Sequence, residues 1–86
     1  MSQTEELRRI LTKMGVKWRD CSDWPVIRTC YMGDYGMVAA ICGPRTYGGC
    51  AGLLEAWNPG ENHRGWLFAE EVPELFPPKG AACTRV

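Results

Sequence analysis

The sequence predicts an α+β domain, with an N-terminal helix packed on an antiparallel sheet of three to four strands and a short C-terminal helix. Three observations predict it. Residues 2–15 carry apolar side chains at helical spacing, residues 26–57 hold apolar runs of strand length divided by glycine-bearing turns, and residues 69–76 return to a helical pattern. Short connections favour neighbouring antiparallel strands. A helix on one face of such a sheet buries the apolar side of both. A chain of 86 residues is one domain, assigned to residues 1–76, with 77–86 as an irregular tail.

In "SQTEELRRILTKMG", Leu7, Ile10, Leu11 and Met14 form one stripe at i, i+3, i+4 and i+7. Ser2 with Glu5 fits a capping box, and Thr4 is a second candidate cap. Glu5 and Arg9 are spaced to pair on the wet face, and Gly15 is a natural stop. "VKWRD", 16–20, begins an extended segment that "CSDWP" breaks, since Ser and Asp favour turns and Pro25 disfavours helix at Trp24. "VIRTCYM", 26–32, and "MVAAIC", 37–42, read as a hairpin about the turn "GDYG". The second run lacks a polar face and should be the more central strand.

After the loop "GPRTYGG", 43–49, the segment "AGLLEAW", 51–57, reads as a strand with Leu53, Glu55 and Trp57 on one side and Leu54 and Ala56 on the other. "NPGENHRG", 58–65, is a second loop, and "WLF" a short closing strand. "AEEVPELF", 69–76, is helical provided that Pro73 falls in the first turn.

Composition excludes several classes. Formal net charge is zero, so the strongly basic face of a general nucleic-acid binder is not expected. No apolar run approaches the roughly 18 residues of a membrane span. Cys21, Cys30, Cys42, Cys50 and Cys83 make an odd set without C-x-x-C, and the N-terminus has no secretory signal. A soluble cytoplasmic protein with reduced thiols is therefore expected, and a disulfide-stapled secreted domain is the lesser reading. A weak asymmetry places more bases than acids in residues 1–30, against Glu61, Glu70, Glu71 and Glu74 with Arg64 alone in residues 61–76.

No catalytic residue is expected. Gly43 and Gly48 have the spacing of two phosphate-loop glycines, but Gly49 and Cys50 stand where Lys and Ser or Thr belong, and the next segment reads as strand rather than helix. Gly48 and Gly49 are read as a corner. Cys30, Cys42, Cys50 and His63 could assemble a metal site across strands, yet no close pair presents two sulfurs to one ion, so no cofactor or metal is expected. His63, the one histidine, lies in a loop, a poor place to hold a general base. Glu70 and Glu71 suit a helix dipole better than acid–base work.

The aromatic set is more informative. Trp57 and Trp66 flank the 58–65 loop and are expected to pack on each other across it. Trp24, in a turn, is the best exposed anchor, and Tyr31, Tyr35 and Arg28 on the same hairpin extend that surface. Arg45 and Tyr47 project from the glycine loop, and tyrosine and arginine carry much of the energy at interfaces.

"YGGCAGLLEAW", a polar loop and "GWLFAEEV" resemble small uncharacterised proteins of bacteriophages and prophages of gut bacteria, which carry Y-G-G-x-x-G-L-L-E followed by G-W-L-T-A-E-E-V. The matching residues are Tyr47, Gly48, Gly49, Gly52, Leu53, Leu54 and Glu55, then Gly65, Trp66, Leu67, Ala69, Glu70, Glu71 and Val72. The resemblance covers residues 46–72. Phe68 departs from it, standing where the pattern has a helix-capping Thr. The resemblance implies a short phage accessory protein that acts by binding, often against a host defence system.

Two functions are carried forward. The first is a non-enzymatic interaction protein that binds and inhibits a host defence protein such as a nuclease. It would use Trp24, Arg28, Tyr31, Tyr35, Arg45 and Tyr47 with an acidic patch of Glu70, Glu71 and Glu74. The second is a homo-oligomer that captures a small molecule or nucleotide signal on Arg45, Tyr47, Gly48, Gly49, Trp57 and Arg64.

Overall fold

Ser2 caps the first helix, α1 (Gln3–Lys13), through the reciprocal pair its spacing from Glu5 suggests: Ser2 Oγ accepts the Glu5 N–H at 3.1 Å, and the Glu5 carboxylate accepts the Ser2 N–H at 3.4 Å. The computed structural model describes residues 2–80. At the other end Gly15 is left-handed, with φ +77°. Its N–H donates to Thr12 O and the Val16 N–H donates to Leu11 O at 2.8 Å, a Schellman closure.

The buried side of α1 is not quite the expected stripe. Leu7 and Leu11 are fully buried and Ile10 packs at the margin, but Met14 is exposed and Thr4 is buried. Arg9 pairs with Glu6, one turn position nearer than Glu5. Arg8, outside the apolar stripe, joins α1 to the sheet. Its Nε donates to Thr29 Oγ1 at 2.9 Å, its Nη2 lies 3.2 Å from Asp20 and 3.4 Å from Arg28 O, and its guanidinium sits over Trp18.

Five strands form one sheet in the order β1 (Trp18–Asp20), β2 (Ile27–Gly33), β3 (Gly36–Cys42), β4 (Leu54–Trp57) and β5 (Arg64–Leu67), every pair antiparallel. The three to four strands expected become five because both short segments at the sheet's margins, the extended run read at 16–20 and the closing strand read at "WLF", pair into it as β1 and β5. β3 is central, as its apolar run suggests. β2 and β3 pair from Ile27↔Cys42 to Gly33↔Gly36, which leaves Asp34 and Tyr35 as a two-residue turn. The strand read over 51–57 starts only at Leu54; Gly49–Ala51 is a single 3₁₀ turn that ends on left-handed Gly52.

One cluster forms the core: Leu7 and Leu11 from α1, Tyr31, Val38, Ala40, Leu54, Ala56 and Leu67 from the sheet, and Ala69, Val72 and Phe76 around the second helix. That helix, α2 (Glu71–Leu75), places Pro73 in its first turn, where the missing N–H costs nothing. Its cap is half built. The Glu71 carboxylate accepts the Phe68 N–H at 2.9 Å, but no side chain caps the helix in return. Phe68→Thr supplies the absent acceptor, and a gain of about 0.5–1 kcal/mol in urea unfolding is expected.

Tyr31 is 1% exposed and its hydroxyl donates to Phe76 O at 2.6 Å, tying α2 to the central sheet. Burial pushes its phenol well above the ordinary tyrosine range. Above pH of about 10 the unfolded chain releases this proton and the folded chain keeps it. Stability from this group is therefore whole below pH of about 10 and falls as pH rises, by up to about 1.4 kcal/mol per pH unit. Tyr31→Phe should cost about 1–2 kcal/mol at neutral pH and flatten the alkaline slope. Urea unfolding on both sides of that pH checks it; an unchanged slope would reject the account. Cys30 and Cys42, also raised by burial, leave a residual slope of the same sign.

Residues beyond α2 return to the sheet. The Asp34 N–H donates to Pro77 O and the Lys79 N–H to Met32 O, while buried Pro78 bridges Gly33. The tail read over 77–86 is thus described to Gly80; residues 81–86, with Cys83, lie outside the described residues. Among the described residues no helix is long and apolar enough to cross a membrane.

Candidate functional site

Both helices contribute to a single core on one side of the sheet. Strand alternation sends the remaining side chains to the opposite face, and the register arranges them in rows. Arg28, Ile41 and Glu55 lie side by side on β2, β3 and β4; Cys30, Ala39 and Trp57 form the next row, and Met32 and Met37 the one after. No helix covers these rows.

A column of flat groups stands on this face. The Arg28 guanidinium lies over the Trp57 ring, 5.3 Å from its centroid. His63 stacks on Trp57 with centroids 4.0 Å apart and planes 4° from parallel. Ala39 and Cys30, small residues in the Trp57 row, leave space for the indole to lie across the strands. The column is anchored from below by Glu55, which is only 5% exposed. Its Oε1 accepts the Tyr47 N–H at 2.9 Å, and its Oε2 accepts from Nδ1 of His63. A buried carboxylate needs such partners, and here they fix two loops: Tyr47 from the β3–β4 connection and His63 from the β4–β5 connection. Arg28 Nε is buried with no acceptor, and its guanidinium forms no ion pair among the described residues.

His63 is thus held firmly, contrary to what its place in a loop suggests. The stack at 4.0 Å leaves no room for a substrate between its rings. Nearby thiols are quiet. Burial raises Cys30, and the sulfur of neighbouring Cys21 raises it further; burial also raises Cys42. Both stay protonated, and a thiol is a weak nucleophile and ligand.

The residues expected to form one partner surface are dispersed. Trp24 and Tyr35 are exposed by 82% and 76%, but they occupy turns at opposite ends of β2, about 20 Å apart for such a strand. Tyr31 is core, because its strand position faces α1 and α2. Arg28 is on the uncovered face. Glu70 and Glu74 are exposed beside the helical side, and Glu71 is engaged with the Phe68 N–H. Arg45 and Tyr47 are exposed on the β3–β4 loop.

The alternative ligand set does not converge either. Arg45 lines a hollow with Pro44 and Cys50, whereas Arg64 lines another with Glu61 and Leu75. Gly48, at φ +100°, abuts the Trp66 backbone, and Gly49 abuts Gly43; both glycines make a packed corner. Trp57 is on the uncovered face. Cys30, Cys42, Cys50 and His63 do not gather, and no cluster of three or more His, Cys, Asp or Glu suited to a metal occurs among the described residues. Trp57 and Trp66 do not stack on each other. A register shift in β5 leaves Trp66 left-handed at φ +59° and 56% exposed, with its N–H on Tyr47 O.

Comparison with protein-family models, with curated proteins and with solved structures finds no match to this chain.

Proposed function

We propose that this chain is a small, non-enzymatic interaction protein that binds a partner protein through the uncovered face of its sheet. The Arg28–Trp57–His63 column, half-buried at Arg28 and Trp57 and exposed at His63, carries this reading. Arginine and tryptophan are the residues most often found at the energetic centre of an interface, and here they are pre-positioned, which lowers the ordering cost of binding. Trp66 and Tyr47, both exposed, lie together at the β5 edge, joined by the Trp66 N–H on Tyr47 O. The resemblance to phage accessory proteins names the first partners to try: cytoplasmic proteins of a bacterial host's defence, nucleases foremost, with inhibition as the outcome of binding.

The test is capture of host proteins on the purified chain, in parallel with Arg28→Ala and Lys13→Ala forms of unchanged thermal stability. A defence protein retained by the wild-type and Lys13→Ala chains and lost, by roughly tenfold or more in affinity, from Arg28→Ala supports the reading. Equal retention by all three chains removes this face from the interface. A captured nuclease that keeps full activity rejects the inhibitory role.

A further inference from the structure

We infer that the seam between β1 and the Pro77–Gly80 segment is a docking groove for an acidic, apolar-anchored segment of the partner protein, an inference that rests on the interaction reading above. β1 pairs with β2 only as far as Tyr31, and Lys79 picks up the next β2 carbonyl, that of Met32. Between these two neighbours the edge of β2 opens into two adjoining hollows of about 570 and 670 Å³ that share Gly15, Val16, Lys17 and Met32.

The lining has two components. Met14, Met32 and Met37 project into the hollows with 46%, 45% and 40% of their surface exposed. Apolar side chains grouped in one concave place on so small a domain mark a contact site more often than chance exposure. Methionine is unbranched and polarisable, so it moulds to a partner's side chains where a branched residue would not. The second component is charge. Lys17, Arg19 and Lys79 line the same hollows, no Asp or Glu does, and none of the three is in an ion pair among the described residues. The C-terminal carbonyls of α1 are already closed by Gly15 and Val16, so these cations are not needed to cap the helix.

A segment that places Leu- or Met-like side chains on the three methionines and carboxylates at the rim satisfies both components. Nucleic acid satisfies only the charge: of the two rings at the second hollow, Tyr31 is fully buried and Trp18 already carries the Arg8 guanidinium, so neither is a free platform for bases. The groove continues into the uncovered face through Cys30, Met32 and Met37, so one partner can span both.

The probe is a synthetic amphipathic peptide with Leu at helical spacing and Glu on its other positions. The controls are the same peptide with Lys for Glu, a Glu peptide without Leu, and single-stranded RNA. Binding to the full chain is read by fluorescence anisotropy and by the methyl signals of Met14, Met32 and Met37. The expected result is binding of the first peptide alone, with those three methyl signals shifted. Affinity should weaken roughly tenfold between about 50 and 300 mM salt. Met32→Gln with Met37→Gln should weaken binding by a similar factor without altering the melting temperature. No binding, equal binding of the Lys peptide, RNA binding in place of peptide, or shifts elsewhere overturns the inference. So does a dimer, by native mass spectrometry of the chain alone, that buries these methionines. Once a partner is captured, loss of binding by Arg28→Ala but not by the double Gln variant rejects the groove and keeps the face. Retention by both variants rejects both.

Discussion

Glu55→Ala should destabilise the fold by about 2–3 kcal/mol, the scale set by leaving buried polar groups without their charged partner. Two bonds go at once. The Tyr47 N–H loses its acceptor, and His63 loses the carboxylate that holds its ring on Trp57. Because the His63 side chain is 44% exposed, water recovers part of its loss, which keeps the value below that of a fully buried ion pair. In a domain of this size the change corresponds to a melting temperature lower by about 10–20 °C. Glu55→Gln keeps an acceptor for Tyr47 and should lose about half as much. Thermal unfolding of both variants checks the ranking. Equal losses would show that charge alone matters, and no loss in Glu55→Ala would show that the two loops stand without this post. Partner binding through the uncovered face should fall in both, since the ring of His63 is no longer fixed.

Gly49→Ala should cost about 3 kcal/mol, at the upper end for forcing an atom into a filled site. A Cβ at this position would lie inside contact distance of the Gly43 carbonyl oxygen and of Thr46 Oγ1. Neither neighbour can give way. Gly43 O accepts both the Thr46 N–H, at 3.3 Å, and the Thr46 hydroxyl, at 2.7 Å, and Thr46 Oγ1 also accepts the Gly43 N–H. The strain spreads through the loop to Tyr47 and so to Glu55. Gly52→Ala meets no atom within 4 Å and pays only for its left-handed backbone, about 1 kcal/mol. Urea unfolding of the pair separates close approach from conformation; equal losses would discard the steric account.

These positions show where the sequence is readable and where it is not. The Leu7–Leu11 stripe, the Ser2–Glu5 box and Gly15 depend on neighbours within a few residues, so local spacing reveals them. The hairpin of β2 and β3 is equally plain, because two long apolar runs flank a short turn. Tyr31 is harder. In "IRTCYM" the core face is the one that carries Thr29, and the polar Thr hides the parity that puts Tyr31 inside. Arg8 and the pair of Glu55 with His63 depend on partners from other elements. The pair meets only because β4 and β5 are antiparallel and their connection folds back over the uncovered face. Trp66 misleads for a related reason: the irregular pairing of β4 with β5 leaves its indole exposed instead of stacked on Trp57.

The order of the strands has a consequence for how the chain comes to be folded. Each strand pairs with the one made just before it, so the meander can lengthen at its growing edge as synthesis proceeds, with little loop closure to wait for. The seal is different. The Tyr31 hydroxyl waits for Phe76, the Met32 carbonyl for Lys79, and Gln3 for the N–H of Ala69, 66 residues away. A nascent chain therefore holds a sheet with part of its inner face open until residues 69–79 have left the ribosome. Ribosome-bound chains stopped before residue 69 should be cut readily by protease, and chains released after residue 80 should not.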